Sequence, residues 1–502
     1  MNTMRAANHA HSFQLPLVKT VVAGAIALMS AAPAWAAAPL FDVGNLIVSV
    51  EGNGVWGASS GSYVDNQAAP LTLFQFSANG TASASYVNSL VLPQTASGNN
   101  SAVSGEYGSS SEGGLQLSGD GRYLTIMGYG VSAAAFNANP TAYGTLTTDP
   151  TKSTALGQSG SLQGAGYTPV SRVAVLINAN GQVDSSTALY GVYNGNNPRS
   201  VYSANGSSFY VSGQGTSGDN TGGVFYATKG SHSATAITGL DTNGNTSAQD
   251  TRSVQVVNGQ LYVSADSKQG SGSNRDFIGT LGAAGSLPTT LANGGAGPTQ
   301  LTGFASSGAG KLTVTASNGN GLNVVGKTIN LSPEAFYFAS ANTMYVADSG
   351  VPKNNSANTT VGDGGLQKWT NSKADGSGAW TLDYTVAAGL HLVANTAASG
   401  TTGLLGLTGK VLANGQVELY ATNYTVGDTD QTYLYGIDDT LSATAKANGE
   451  SFTQLAAAPV DSTFKGVSFA PTSLTAVPEP APVLMFGLGL AALALVRRRQ
   501  SR

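Results

Sequence analysis

Ser208-Phe209-Tyr210-Val211-Ser212 is one copy of a short pattern that recurs along the chain and decides its fold. In each copy a turn precedes an apolar residue, a tyrosine, a second apolar residue and a small residue. Clear copies recur at residues 260–264, 343–348 and 418–421, and weaker ones at 123–126 and 46–50. Such alternation predicts a half-buried β-strand.

Further strand-like runs flank these copies. An apolar run precedes most copies, at residues 115–117, 200–202, 253–257, 335–339 and 403–407. A second run follows each copy after a polar loop, at residues 71–76, 172–177, 223–227, 276–280, 365–369 and 432–436. The units are far longer than the ~20–30 residues of a leucine-rich repeat. Six units of three or four strands predict an all-β fold, a six-bladed β-propeller.

The two ends of the repeat region indicate how the propeller closes. Residues 464–470 resemble an innermost strand with nothing after it, and residues 46–50 lack a preceding strand. One blade built from both ends would complete both units and remove a free edge. Seven blades result if residues 312–315 and 322–325 begin another unit. Stacked β-sandwich repeats are the alternative, because the length alone suggests about three domains.

Turn residues separate the runs. Two-residue pairs that favour a type I′ hairpin turn, with two positive φ angles, precede four of the strands. These pairs are Asp120-Gly121, Asn205-Gly206, Asn258-Gly259 and Asn414-Gly415.

Composition excludes several classes of protein. The 502 residues include 66 Gly and no Cys, and only 10% are charged. Without cysteine there is no disulfide scaffold, thiol catalysis or Cys-ligated metal. The 22 basic residues face 26 acidic ones, so we expect no nucleic-acid partner.

The N-terminus has the order of a secretory signal. Arg5 and Lys19 precede an apolar run at residues 21–29, and Ala34-Trp35-Ala36 is a candidate cleavage site. Residues 1–36 are therefore predicted to be a signal peptide, with an uncleaved N-terminal anchor as the alternative. The repeat region, residues 40–475, is predicted to be the propeller body.

The C-terminus contains a second candidate targeting signal. Pro478-Glu479-Pro480 is followed by an uncharged segment at residues 481–496 and then by Arg497, Arg498 and Arg499. As a helix the uncharged segment would span about 24 Å, marginal for a ~30 Å hydrocarbon core. The arginines would hold the terminus on the cytoplasmic side.

This tail, residues 476–502, resembles the PEP-CTERM sorting signal of Gram-negative bacteria that make exopolysaccharide. The resemblance implies inner-membrane insertion through the tail, cleavage by an exosortase, and release to the cell surface or extracellular matrix. The secretion machinery and an exosortase are therefore expected partners, and exopolysaccharide is a further one. The same tail is sometimes labelled an ice-binding-protein C-terminal domain, which is no evidence for ice binding. A plain tail anchor is the alternative.

Acidic residues recur in the loops after the tyrosine-bearing strands. They are Asp65, Asp219, Asp266, Asp348, Asp363, Asp428 and Asp430. In a propeller these loops share one face, where carboxylates could hold a divalent cation such as calcium or the hydroxyls of a polysaccharide. The alternative is that each Asp only stabilises a turn. His232 and His391 have no ligand pattern around them.

Other features suggest binding more weakly. Trp56, Trp369 and Trp380 are candidates for stacking on sugars, whereas the strand tyrosines are expected to pack in the core. The segments at residues 95–111 and 131–166 are expected to be surface loops.

No catalytic motif is present, so we expect no catalytic residue and no required cofactor. The prediction is an exported, non-catalytic surface or matrix protein with a glycan-, cation- or protein-binding propeller face. One alternative is a secreted propeller hydrolase or lyase that uses carboxylates. The other is a purely structural matrix protein or adhesin.

Overall fold

The structure, a computed structural model, describes residues 39–61, 63–144, 154–216, 219–238, 250–265, 277–295, 297–304, 311–313, 328–350, 364–393, 401–425 and 429–473. The predicted signal peptide and the predicted sorting tail lie outside these residues, and so do their named residues.

Six sheets follow one another along the chain, one for each predicted unit. Blade 1 combines β1 (Leu46–Gly52), β3 (Thr72–Asn79) and β4 (Ser83–Val91) with the last strand, β28 (Ser462–Phe469). Blade 2 contains β2 (Ala68–Pro70), β5 (Ser104–Glu106), β6 (Leu115–Leu117), β7 (Tyr123–Tyr129), β8 (Arg172–Asn178) and β9 (Val183–Leu189). Blade 3 contains β10 (Pro198–Tyr202), β11 (Ser208–Gly213), β12 (Gly223–Thr228) and β13 (Thr235–Ala236).

The second half repeats this plan. Blade 4 contains β14 (Thr251–Val257), β15 (Gln260–Ala265), β16 (Phe277–Leu281) and β17 (Thr299–Gln300). Blade 5 contains β20 (Pro333–Ser340), β21 (Thr343–Asp348), β22 (Gly365–Asn371) and β23 (Trp380–Val386). Blade 6 contains β24 (Thr401–Val411), β25 (Gln416–Thr425), β26 (Tyr433–Thr440) and β27 (Thr453–Ala457).

The innermost strands close a ring. In ring order they are β28, β6, β10, β14, β20 and β24, and β24 in turn lies beside β28. The predicted closure is confirmed, because β28 pairs antiparallel with β1, with Leu46 opposite Phe469 and Gly52 opposite Ser462. The six-bladed β-propeller is thus confirmed, and the alternative of stacked sandwiches is wrong.

The predicted seventh blade does not form. Lys311–Thr313 (β18) pairs with Thr328–Asn330 (β19) in a two-stranded ribbon between blades 4 and 5. Residues 314–327, which include the second predicted run, lie outside the described residues.

The predicted type I′ turn occurs at only one of the four pairs. Asn258 and Gly259 both have positive φ, 49° and 75°, and Val257 pairs directly with Gln260 across this two-residue loop. At the other three pairs only the glycine has positive φ. Their loops are longer, as where Leu117 pairs with Leu124, so the tight turn is not required.

Apolar clusters fill the spaces between neighbouring blades. Between blades 2 and 3, Met127 and Leu176 pack with Val201 and Phe209. The corresponding clusters occur at the other five interfaces. Three of the four repeat tyrosines, Tyr210, Tyr345 and Tyr420, are buried as expected.

A hydroxyl-bearing residue at the small-residue position of the tyrosine pattern joins five of the six blades to the next. Its hydroxyl donates a hydrogen bond to a main-chain carbonyl at the innermost edge of the following blade. These bonds are Ser49 to Gly113 (2.6 Å), Thr125 to Val201 (2.7 Å), Ser212 to Arg252, Ser264 to Glu334 (2.9 Å) and Thr422 to Lys465. The repeated pattern therefore encodes the contact between blades as well as the strand.

Blade 5 departs from this rule, because Ala347 stands at the equivalent position. A buried ionic cluster joins blades 5 and 6 instead. Asp439 of β26 accepts hydrogen bonds from Tyr345 (2.5 Å) and Tyr384 (2.7 Å) and forms an ion pair with Lys368 (2.9 Å). We call these four side chains the Lys368 cluster.

Parts of the segments expected to be surface loops in blade 2 are instead packed, and for those parts the expectation is wrong. Residues 95–99 and 163–166 are exposed as expected, and residues 145–153 lie outside the described residues. Helix α1 (Ala133–Ala138) and the 3₁₀ turn Leu156–Gln158 bury Phe136 and Leu156 against Tyr129. The fully buried Arg172 secures this segment by donating to the carbonyls of Ser159 (2.8 Å) and Tyr193 (2.9 Å). The prediction failed because short glycine- and serine-rich elements have no clear periodicity.

Candidate functional site

One end of the propeller gathers most of the residues of interest. The innermost strands begin where the tyrosine-bearing strands end, as the pairs Pro198–Gly213 and Pro333–Asp348 place them together. We call this end the loop face. The loops that follow the tyrosine-bearing strands therefore surround the start of the central channel.

Two of the predicted acidic residues, Asp219 in the loop after β11 and Asp348 at the end of β21, are engaged locally. Asp219 accepts hydrogen bonds from Asn194 Nδ2 (2.9 Å) and from the hydroxyl of Thr221 (2.6 Å). The fully buried Asp348 accepts from the backbone N–H groups of Ser332 and Gly350, both at 2.8 Å, and from Gln367 Nε2 at 2.8 Å. Both carboxylates therefore stabilise loop conformation.

The structure describes two of the other predicted acidic residues. Asp65 is exposed and Asp430 is partly exposed, while Asp266, Asp363 and Asp428 lie outside the described residues. Within the part of the chain that the structure describes, no three His, Asp or Glu side chains are placed to hold a metal ion. Calcium binding stays a prediction.

A repeated irregularity at the loop face turns charged side chains toward the channel. The pairing of β10 with β11 skips Arg199, and the pairing of β20 with β21 skips Glu334. Comparable β-bulges include Arg252 in β14 and Lys465 in β28. A bulge re-aims the side chain of the extra residue, so these strands point charge at the axis despite their apolar alternation.

These residues line a small cavity in the channel, which we call the channel cavity. It measures about 50 Å³, room for a few water molecules or one small functional group. All six blades contribute to its wall. The wall includes Glu112, Arg199, Arg252, Glu334, Leu407 and Lys465.

Opposite charges alternate along one side of the wall. Arg199 forms an ion pair with Asp250, whose Oδ1 atom also lies 3.3 Å from Arg252 Nε. Arg252 Nη1 lies 3.2 Å from Glu334 Oε2, and Ser349 donates a 2.7 Å hydrogen bond to Glu334 Oε1. The side chains of Arg199, Arg252 and Glu334 are at most 6% exposed, so these charges interact in a medium of low dielectric constant.

A second group of charges lies on the side of blades 1 and 2. Lys465 Nζ lies 3.7 Å from Glu51 Oε2 and donates to the carbonyl of Ser109. Neither carboxylate oxygen of the fully buried Glu51 has a hydrogen-bond partner in the described structure. Burial therefore raises the pKa of Glu51 well above its usual value, although Lys465 opposes the shift.

Glu112 is a fully surrounded carboxyl group of the wall. Its Oε1 accepts a 3.0 Å hydrogen bond from Asn197 Nδ2, and Tyr129 lies at 3.5 Å. Burial raises the pKa of Glu112 to about 7, while hydrogen bonds from Ser109 and Asn197 and the charge of Lys465 oppose the shift. A carboxyl with this pKa can exchange a proton near neutral pH.

The sequence contains one signal for this site. Arg199, Arg252 and Glu334 each come one residue before a predicted innermost run, in a chain with few charges. Their shared position would have predicted a ring of charge at the start of the channel. Glu112 follows the glycine- and serine-rich segment that was assigned to the surface, and nothing local marks it as buried.

The three tryptophans predicted to stack on sugars differ in their exposure. Trp369 and Trp380 are buried between blades 4 and 5, which removes them as sugar platforms. Trp56 is 39% exposed and stacks on Tyr86 at 4.8 Å.

Comparison with known proteins identifies one region of the chain. Residues 476–499 match the PEP-CTERM protein-sorting motif. No curated protein matches the chain. Among the described residues no helix is long and apolar enough to cross a membrane, and the predicted apolar segment at residues 481–496 lies outside them. The chain is therefore an exported protein that carries an exosortase sorting motif after a six-bladed propeller body.

Proposed function

We propose that the protein is a non-catalytic surface or matrix protein whose loop face binds a glycan at the channel cavity. The observation that carries this proposal is the convergence of charged side chains from five blades on one cavity. Burying charge costs free energy even where the charges are paired, so a ring of charges beside a cavity favours a role in binding. A cation or a protein is the other kind of ligand such a face could take.

Glycan binding accounts for the chemistry around the cavity. Exposed Ser and Asn side chains occur in the loops of this face, as at Ser59, Ser60 and Asn220. Amide and hydroxyl groups of this kind supply both donors and acceptors for sugar hydroxyls. The exposed Trp56 offers an apolar surface beside blade 1 on which a sugar ring can stack.

An array of glycans tests this function directly. The processed protein should bind a subset of glycans, and Arg252→Gln should remove that binding. Arg122→Ala is the matched control, because Arg122 is a partly exposed arginine paired with Asp120 in the β6–β7 hairpin at the opposite end. Absence of binding to every glycan would contradict the proposal and favour a purely structural matrix protein or adhesin.

Processing of the tail completes the proposal. The tail would insert in the inner membrane, be cut by the exosortase, and leave the body at the cell surface or in the matrix. Replacing Pro478, Glu479 and Pro480 by alanine should leave uncleaved precursor in the membrane fraction, as detected by immunoblot. Unchanged cleavage and unchanged surface release would contradict exosortase processing.

A secreted hydrolase or lyase is the second candidate, and Glu112 favours it. This buried carboxyl lines the cavity and has a pKa of about 7, which suits a general acid near neutral pH. Release of reducing ends or unsaturated sugars from a bound polysaccharide would favour the enzyme, provided that Glu112→Gln abolishes it. Binding without product release would favour the non-catalytic protein.

A further inference from the structure

The charges of the channel cavity are arranged in two layers. Arg199, Arg252 and Lys465 line the cavity, whereas two of their partners, Asp250 and Glu51, are not part of its wall. The wall itself carries two carboxyl groups, Glu112 and Glu334. An occupant therefore meets more positive than negative groups, although the chain as a whole is acidic.

We propose that the channel cavity binds one carboxylate group, that of a uronic-acid residue in an acidic polysaccharide, between Arg199, Arg252 and Lys465. This inference rests on the proposed glycan-binding function and specifies the class of glycan.

The three cations suit a carboxylate. A guanidinium has five N–H donors, so it can hold a protein carboxylate and a ligand carboxylate together. Arg199 and Arg252 already converge on Asp250, which brings their guanidinium groups side by side. The side chains of the three cations are only 2–6% exposed, so their attraction for an anion is weakly screened.

The size of the cavity limits what enters. At about 50 Å³ it accepts a small group with a water molecule but excludes a pyranose ring. The carboxylate of a uronic acid projects directly from its ring. The ring and its neighbours can therefore stay on the loop face, where amide and hydroxyl side chains contact their hydroxyls. An acidic peptide presents fewer hydroxyls to these groups, which favours the polysaccharide.

Glu112 makes this binding dependent on pH. The charged or titratable groups that face it are Glu51 of β1, Glu106 of β5, Tyr129 of β7, Arg172 of β8 and Lys465 of β28. Below about pH 7 Glu112 holds a proton and adds no charge to the wall. Above that pH its negative charge repels a bound carboxylate, so affinity falls as the pH rises.

Calorimetry with a matched pair of ligands tests the inference. The processed protein is titrated with tetragalacturonate and with its methyl ester, which has the same sugars without the negative charges. We expect the acid to bind at least tenfold more tightly than the ester at about pH 6. We expect its affinity to fall about three- to tenfold by about pH 8, within the limit that one titrating group allows.

Variants test whether tetragalacturonate binds at the channel cavity. Arg252→Gln should weaken tetragalacturonate at least tenfold, and Arg122→Ala should not. Glu112→Gln keeps the arginines and should bind equally well at both pH values, so the test holds even if Arg252→Gln fails to fold. Equal affinity for the acid and the ester, or tighter binding of a tetraglutamate peptide, would overturn the inference but leave glycan binding intact. Failure of every glycan on the array would overturn the proposed function itself.

Discussion

The Lys368 cluster and the channel cavity both contain buried charge, but they satisfy it differently. In the Lys368 cluster both oxygens of Asp439 accept hydrogen bonds, from Tyr345 and Tyr384, and Lys368 also donates to the carbonyl of Thr440 at 2.6 Å. At the channel, Glu51 is fully buried without a hydrogen bond, and its lysine partner lies at 3.7 Å. The Lys368 cluster holds two blades together, whereas the charges that line the channel cavity can also meet a ligand.

Breaking the Lys368 cluster should have the largest effect on stability. Asp439→Asn leaves Lys368 buried without its counter-ion, so we expect the free energy of unfolding to fall by about 3–5 kcal/mol. Urea unfolding of the purified protein measures this loss. The adjacent Asp438 is exposed, since successive strand residues face opposite sides, and Asp438→Asn should change stability by less than about 0.5 kcal/mol. Equal losses in both variants would contradict the account.

Neutralising Glu112 should raise the free energy of unfolding, whereas Asp439→Asn should lower it. The folded state holds the proton of Glu112 up to about pH 7, whereas an unfolded glutamate releases it near its usual pKa of 4.5. Stability is therefore lost as the pH rises through this window. We expect Glu112→Gln to raise the free energy of unfolding by about 1–3 kcal/mol at about pH 8 and to leave it unchanged near pH 4. Urea titrations at several pH values decide this, and destabilisation at about pH 8 would show that Glu112 is a structural carboxylate.

Removing one interblade hydroxyl should have the smallest effect. Ser264→Ala deletes the 2.9 Å hydrogen bond to Glu334 O and the 3.0 Å bond accepted from Ser253 N. We expect a loss of about 1–2 kcal/mol, because the buried carbonyl and N–H lose their partners. Ser89→Ala, on the exposed side of β4, is the control and should be neutral. A neutral Ser264→Ala would show that apolar packing alone joins the blades.

The sequence predicted the architecture well because the relevant information is local. The tyrosine pattern identified the second strand of every blade, and the unpaired runs at the two ends of the body predicted the pairing of β1 with β28. The pattern also contained the interblade contacts, since its small residue is a hydroxyl at Ser212 and Ser264. Only the structure shows that these hydroxyls reach the next blade.

The site was less predictable because its geometry depends on strand register. Arg199 and Glu334 reach the channel through β-bulges, which are properties of a pair of strands. The sequence therefore shows charge before the innermost runs but not the direction in which it points. Glu112 is buried by three segments distant in sequence, which contribute Glu51, Asn197 and Lys465. The loop aspartates recur in the sequence, but Asp219 and Asp348 stabilise their own loops.

The most direct test compares how much a ligand stabilises two variants, one in the Lys368 cluster and one in the channel cavity. Thermal unfolding of Asp439→Asn and Arg252→Gln is followed at about pH 6 with and without tetragalacturonate. We expect Asp439→Asn to melt at a lower temperature yet to gain as much stability from the ligand as the wild type, and Arg252→Gln to gain none. Full ligand stabilisation of Arg252→Gln, or its loss in Asp439→Asn, would contradict the assignment of binding to the channel and of structure to the Lys368 cluster.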